Sequence, residues 1–423
     1  MKANIERTDK KRVVIVGGGL GGLDLAFKLV DGDYQVVLVD KNNYHQFPPL
    51  IYQVASGGLE PSSISFPFRR LFQGHKDFFF RMAEVESVDT AKKTILTTVG
   101  EIEYDYLVIA AGATTNFFGN KDIQATTLPM KSVSEAMRLR NTILRNLEKA
   151  LTEEDPTRKQ ALMNIVVVGG GASGVEIAGA VAEMKKNIIA RDYPDLDSSQ
   201  MHIYLVNASD RLLSAMDPMS SKRAEADLKE LHVHIRQPQF ATEYKDGILK
   251  TSAGLEIPTQ TVIWVSGICA NKIEGFPAES IGHAGRLLTD RFCRVKGLKD
   301  VYAVGDISLI EGDEEYPLGH PQLAQVAMQQ AKTVAKNLKA IAKGEEPKPF
   351  KYKNLGVMAT IGRNHAVAEI AGKKFGGFPA WALWLIVHLR SILGVKNKTF
   401  ILLHWIWNYI NYKQSLRLLL KAK

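Results

Sequence analysis

One local pattern occurs twice in this chain, and it leaves few folds open. Residues 13–16 read Val-Val-Ile-Val, an apolar strand. They run into Gly17-Gly18-Gly19-Leu20-Gly21-Gly22, a helical stretch Leu23–Val30, and a second strand Gln35–Val39 that closes on Asp40. From Asn164 the same order returns: strand Asn164–Val168, then Gly169-Gly170-Gly171-Ala172-Ser173-Gly174, helix Val175–Met184, and strand Met201–Val206 ending on Asn207. A Gly-x-Gly-x-x-Gly run alone is a weak signal, but between a strand and a helix, with an acid 23 residues after its first glycine, it is a strong one. Gly17 permits a tight turn, Gly19 lets backbone approach a pyrophosphate, and Gly22 lets the helix close on the strand, while Asp40 can accept hydrogen bonds from a ribose diol. Gly169, Gly171 and Gly174 take these places in the second copy. The pair predicts an α/β chain with two Rossmann-like dinucleotide-binding domains.

Two further strands close the first domain. Tyr106-Leu-Val-Ile-Ala-Ala111-Gly112-Ala ends in a small-residue turn, and Val301-Tyr-Ala-Val-Gly305-Asp306 ends in an acid. The arrangement resembles the two-dinucleotide-binding flavoproteins, in which an FAD domain is interrupted by an NAD(P) domain. That resemblance implies noncovalent FAD on the first unit and the nicotinamide nucleotide on the second. The boundaries it suggests are 1–120 and 290–345 for the two parts of the FAD domain, and 121–289 for the NAD(P)H domain.

The exit for the electrons is narrowed by what is missing. The only cysteines, Cys269 and Cys293, are 24 apart, so there is no Cys-x-x-Cys dithiol, and neither a thiolate metal site nor an iron–sulfur cluster is expected. After Asp306 comes Gly319-His320-Pro321-Gln322-Leu323-Ala324-Gln325-Val326-Ala327-Met328-Gln329-Gln330, which reads as a helix from Pro321 to about Lys343, stopped by Gly344. Its N-terminus carries about half a positive charge, suited to an anionic flavin edge. Gln325 and Gln329, four apart, share a face.

Ala-Gln-x-Ala-x-Gln on this helix, Tyr44-His-Gln-Phe-Pro-Pro-Leu-Ile-Tyr52-Gln53-Val-Ala, Glu176 after the second glycine turn, and the Trp381 and Trp405 segments resemble the type II NADH:quinone oxidoreductases from about Arg12 to Leu420. The resemblance implies that hydride passes from NADH to flavin and two electrons then pass to a quinone, without proton pumping. It implies catalytic roles for Glu176, Gln325 and Gln329. It implies cofactor contacts at Gly17, Gly19, Leu20, Gly22, Asp40, Lys41, Gln53, Ala111, Gly112, Gly305, Asp306, Gln325 and Val326, and at Gly169, Gly171, Gly174, Glu176 and Asn207. One departure matters: the family usually ends the second outer strand with Glu, whereas this chain has Asn207, with Arg211 four residues on. Asn binds a hydroxyl but does not repel a 2′-phosphate, so NADH is the expected donor with weakened discrimination against NADPH.

The formal charge of +9 suggests nucleic acid until it is located. Residues 373–423 hold nine Lys or Arg and no acid, which leaves 45 bases against 45 acids in the rest of the chain, so nucleic acid is not an expected partner. The same tail holds four of the five tryptophans. Its apolar runs, Trp381–Leu389 and Phe400–Ile410, are too short to span a bilayer. His404, Asn408 and Asn411 form a polar stripe on the second run, and Lys413, Arg417 and Lys421 recur beside Leu416, Leu419 and Leu420. Basic, Trp-rich amphipathic helices lie in the headgroup region, so 346–423 is expected to anchor the chain to lipid and to support a homodimer. Met1–Arg12 is polar and lacks a signal core, which favours the cytoplasmic face of a bacterial inner membrane. The competing readings are a sulfide:quinone oxidoreductase using the cysteines and a non-catalytic redox sensor.

Overall fold

The computed structural model describes residues 3–411 and 418–419. The chain forms two compact units, one of residues 1–46, 66–114 and 268–354, the other of 47–65, 115–267 and 355–423. The expected positions Lys413, Leu416, Arg417, Leu420 and Lys421 lie outside the described residues.

Each unit is built on a five-stranded parallel sheet. In the first unit the order is Val301–Ala303, Tyr106–Ile109, Lys11–Val16, Tyr34–Asp40, Phe78–Met82. In the second it is Leu128–Pro129, Thr261–Trp264, Ile165–Val168, Ile203–Val206, Val233–Arg236. Sheets covered on both faces need continuous apolar strands, and Val13, Val14, Ile15, Val166 and Val167 are fully buried. Each unit also carries a three-stranded antiparallel meander, 85–103 in the first and 241–258 in the second.

The unit boundaries differ from those expected at 120, 289 and 345, and packing explains the largest of the shifts. Residues 47–65 leave the first unit because the short helix Ile51–Ala55 lies on the helices Val133–Thr152 and Ala172–Met184 of the second. Residues 268–289 join the first because Ala270, Ile273, Phe276 and Leu287 share one core with Val14, Val37 and Val301. Phe350 is buried in the first unit, where its N–H bonds the Arg291 carbonyl, so that unit runs on to Asn354.

Residues 355–411 form an antiparallel sheet, Val357–Gly362, His365–Ile370 and Lys373–Gly376, followed by helices Phe378–Ser391 and Val395–Asn411. Among the described residues no helix is long and apolar enough to cross a membrane.

Candidate functional site

The two glycine turns are built alike. Gly17 and Gly169 have φ of +98° and +121°, conformations that side chains rarely adopt. A Cβ on Gly22 would strike the Gly17 carbonyl, and one on Gly174 would strike the Gly169 carbonyl. Above Gly19 and Gly171 there is open space, the room a pyrophosphate needs. Leu20 and Ala172 begin the helices Leu20–Leu29 and Ala172–Met184, whose free N–H groups face that space.

Each turn is locked by the residue that ends the neighbouring strand. Asp40 accepts from the Gly18 N–H at 2.6 Å and from the Asn42 N–H at 2.7 Å. Burial raises its carboxyl above the usual range against the pull of these donors. His45, buried, bonds the Gly18 carbonyl through Nδ1 at 2.9 Å, and desolvation lowers its pKa, so it is neutral. Lys41 is exposed beside them.

In the second unit Asn207 Oδ1 accepts from the Gly170 N–H at 3.1 Å, while Nδ2 donates to the Ser209 and Arg211 carbonyls at 3.0 and 3.1 Å. Arg211 donates to the Met216 and Ser214 carbonyls and to Ser221 Oγ. Its guanidinium is thus held against the loop that follows Asn207.

Several expected residues gather around the strand ends of the first unit. Gly112 has φ of +66°, and Asn271 Nδ2 donates to the Ala111 carbonyl at 2.7 Å. Gly305 has φ of +79° and donates its N–H to Gln330 Oε1 at 2.7 Å, and Gln322 Nε2 donates to the Asp306 carbonyl at 3.0 Å. Gln330 is buried and was not singled out in the sequence, where it is one more Gln on a helix.

The long helix begins at Ala324, not at Pro321, because the Leu323 N–H turns back to the Pro321 carbonyl and Gln322 is held by Asp306. Gln325 therefore stands in the first turn, half-buried, while Val326 is buried with its N–H on the Leu323 carbonyl. Gln329 needs correction. Its amide exchanges two 2.9 Å hydrogen bonds with the Lys353 backbone, so it clamps the chain, and it does not line the apolar cavity of the second unit.

The second unit contains a cavity of about 640 Å³, lined largely by apolar side chains of the two C-terminal helices. Glu176 and Glu183 of the helix Ala172–Met184, Tyr52 and Gln53 of Ile51–Ala55, and Thr360 and Arg363 of the C-terminal sheet complete its wall. Gly179 explains how these elements meet: a Cβ there would overlap the Ile361 carbonyl, so glycine alone lets the strand lie against this helix between its two acids.

Burial pushes the Glu176 carboxyl up to about 8, with the Thr360 N–H pulling weakly the other way. The Tyr52 phenol is raised by burial and then by Glu176, and accepts from Gln53 Nε2 at 2.8 Å. Gln53 Oε1 in turn accepts from Trp405 Nε1 at 2.9 Å. Trp384, 1% exposed, packs edge-on to Tyr52 and stacks on His388 at 4.0 Å. Gln325 and Gln329 do not line this cavity; Glu176 and Gln53 do. Sequence reading passed over Glu183, Thr360 and Arg363, whose only signal is the second acid seven residues after Glu176.

The last helix is turned with its polar stripe inward. His404 Nε2 bonds the Gly58 carbonyl at 2.6 Å, Asn408 lines the cavity, and Ile401 is fully buried. Phe400, Leu403 and Trp407, at 57, 57 and 59% exposure, face away from the cavity.

This geometry defines a two-nucleotide flavoprotein fold, and residues 11–331 match the pyridine nucleotide-disulphide oxidoreductase family, with 354–412 matching the NDH2 C-terminal domain. The chain is 33% identical over 421 residues to the type II NADH:quinone oxidoreductase Ndh of Mycobacterium tuberculosis, covering 96% of this chain and 89% of that one. It is 29% identical to the type II NADH:quinone oxidoreductase of Haemophilus influenzae, covering 87% and 89%. The chain belongs to the type II NADH:quinone oxidoreductase family. Its fold is that of NDH2 from Plasmodium falciparum, solved in complex with NADH, at a TM-score of 0.89 and 19% identity over 97% of this chain and 100% of that one. A sulfide:quinone oxidoreductase from Aquifex aeolicus is more distant, at 0.72 and 19% over 96% and 92%.

Proposed function

We propose that this chain is an FAD-dependent NADH:quinone oxidoreductase that works at a membrane surface without proton pumping. The observation that carries the reading is the apolar cavity holding a desolvated carboxyl, in a chain with family-wide similarity along almost its whole length. FAD fits the first glycine turn, where Gly19 leaves room for a pyrophosphate, Leu20 opens a helix and Asp40 stands at the ribose position. When bound, FAD supplies the chemistry that accepts a hydride and hands on two electrons.

The chain's own part is binding, orientation and proton supply. Gly169, Gly171, Gly174 and Asn207 hold the nicotinamide nucleotide. The cavity takes the quinone, and Glu176, protonated at neutral pH, gives a proton to a quinone oxygen. Gln325, in the first turn of the first unit's long helix and outside the cavity wall, is proposed as a donor to a quinone carbonyl on the family resemblance alone. NADH is the donor; NADPH is accepted to the extent that Asn207 lacks a repelling charge, since Arg211 offers no clamp.

The outward apolar stripe of the last helix supports attachment to lipid, with the exposed Lys396, which lies over the Phe400 ring, on anionic headgroups. A homodimer through the tail would cover what lipid does not, and the cytoplasmic face of a bacterial inner membrane is the proposed location. Cys269 and Cys293 form no disulfide, and Cys293 is buried with its thiol pushed well up, which disfavours cysteine-based sulfide chemistry. Anaerobic mixing of the holoprotein with NADH, then with a soluble quinone, tests the reading: the flavin absorbance should bleach and return. Bleaching by sulfide alone, or no return with any quinone, would reject it.

A further inference from the structure

Quinone reduction by NADH draws one proton from water each turnover: NADH, quinone and a proton give NAD⁺ and quinol, the hydride carrying both electrons and one hydrogen. A largely apolar cavity needs a way in for that proton. We propose that Glu183 relays it, passing a proton from the His365–Asp227 pair at the outside of the C-terminal sheet to the cavity end where Glu176 serves the quinone. This rests on the oxidoreductase reading above.

Glu176 and Glu183 are the two carboxyl groups lining the cavity among the described residues. Seven residues apart, they lie on one face of the helix, about 10 Å apart along its axis. That gap suits a short file of cavity water. Glu183 accepts the Arg363 N–H at 2.5 Å, which fixes it at the turn between the first two C-terminal strands. Beyond that turn His365 Nδ1 stands 3.1 Å from the buried Asp227, whose two oxygens also accept from Arg223 Nε at 2.9 and 3.1 Å, and the exposed Glu230 lies beside them. His365 lies two residues beyond the Arg363 N–H that Glu183 accepts, and its charge acts on the Glu183 carboxyl, so titratable groups stand at both ends of the turn between the surface and the cavity helix.

Immediately after Glu183 the helix widens into a π turn, Lys185–Ile189, which brings Asn187 and Ile188 to the cavity wall. Such turns are frequent at functional sites because they re-aim side chains. The groups that face Glu183 are Arg363 and His365 from the sheet, Lys186 from the next turn and Tyr52 from the helix Ile51–Ala55. Burial raises its carboxyl, and the Arg363 N–H, Arg363, His365 and Lys186 oppose that rise. An acid held above the ordinary carboxylate range by burial keeps its proton more readily than an exposed one, as a relay group must.

Glu183→Gln is the test, because Gln keeps the oxygen that accepts the Arg363 N–H. In the holoprotein, bleaching by NADH should be unchanged, return of the flavin absorbance on adding quinone should slow about tenfold at pH 7, and its dependence on pH should flatten. Binding of a redox-inert quinone analogue should be unchanged, and a small weak acid should restore part of the rate. His365→Asn should shift the same pH profile, and it decides the matter if Glu183→Gln loses FAD or unfolds. Wild-type rates and profile in both variants would overturn the relay. So would a slowed rate with an unshifted profile, or loss of analogue binding, either of which marks a packing role. Failure of the wild-type protein to be reoxidised by any quinone is a separate result that overturns the oxidoreductase reading itself.

Discussion

Replacing Glu176 by Gln should stabilise the protein in alkaline solution while crippling quinone reduction. In an unfolded chain a Glu ionises near pH 4.3, but in the folded cavity burial holds this one to about 8. Below pH 4 both states keep the proton and the group is neutral in the balance. Between about pH 4.3 and 8 the unfolded chain releases a proton that the folded protein retains, so native stability falls by about 1.4 kcal/mol per pH unit relative to the Gln variant. Above pH 8 the loss levels off, at about 3–5 kcal/mol once partial access to the cavity is allowed for. Chemical denaturation of both proteins at fixed pH values from 5 to 9 reads this directly as a growing difference. The same carboxyl should donate to quinone below pH 8 and cease above it, so the quinone half-reaction of the wild type should fall through that region. The variant should be slower by about 10²-fold at pH 7 and nearly flat with pH. A stability difference that does not change between pH 5 and 9 would refute the desolvated state of Glu176, and with it the proton-donor role.

Other substitutions have outcomes that follow from the same geometry. Asn207→Glu should cut kcat/KM for NADPH at least about tenfold more than for NADH, because a carboxylate repels the 2′-phosphate while the lost Nδ2 bonds to the Ser209 and Arg211 carbonyls weigh on both donors alike; equal losses would remove position 207 from the ribose. Gln325→Ala should slow the quinone half-reaction about ten- to a hundredfold and spare reduction by NADH, whereas Gln329→Ala should cost about 0.5–1.5 kcal/mol of stability, since water can replace the exposed bonds to the Lys353 backbone, measured by denaturant melts. Gly179→Ala should destabilise by about 1–3 kcal/mol and slow quinone turnover by driving the Ile361 strand off the helix, visible as a lowered Tm. Leu403→Glu with Trp407→Glu should release the protein from anionic vesicles in sedimentation assays, while high salt should release the wild type only in part, since apolar contacts are not screened.

What could be read in the sequence was what is local. The turn at Gly17–Gly22 is decided by six consecutive residues, and Asp40 reaches Gly18 because parallel neighbours Val16 and Val39 fix the register. Spacing showed that Gln325 and Gln329 share a helix face, but not what the face meets; Lys353, which occupies Gln329, lies 24 residues away with no motif around it. The helix start was misplaced because Pro321 is equally at home before a helix, and the hydrogen bond from Gln322 to Asp306 that holds it extended spans 16 residues. The cavity was invisible for the same reason. It joins Tyr52, Glu183, Arg363 and Trp405, which sequence patterning does not connect, and the direction of the His404–Asn408 stripe depends on a carbonyl at Gly58. Gly179 looked like one small residue among several until the strand at Ile361 was placed against it.

The two glycine turns differ in the one atom pair that secures them, and the difference gives the cofactor sites unequal tolerance of acid. The first is latched by a carboxylate, Asp40, whose grip on the Gly18 N–H depends on charge, and burial makes that charge easier to lose than in an ordinary aspartate. The second is latched by the amide of Asn207, which has no proton to gain anywhere in the working pH range. Acidification should therefore loosen the flavin's turn while leaving the nucleotide's turn intact, so that a holoprotein taken to low pH sheds its yellow cofactor and keeps a nucleotide-binding fold. The repeated architecture would come apart one half at a time.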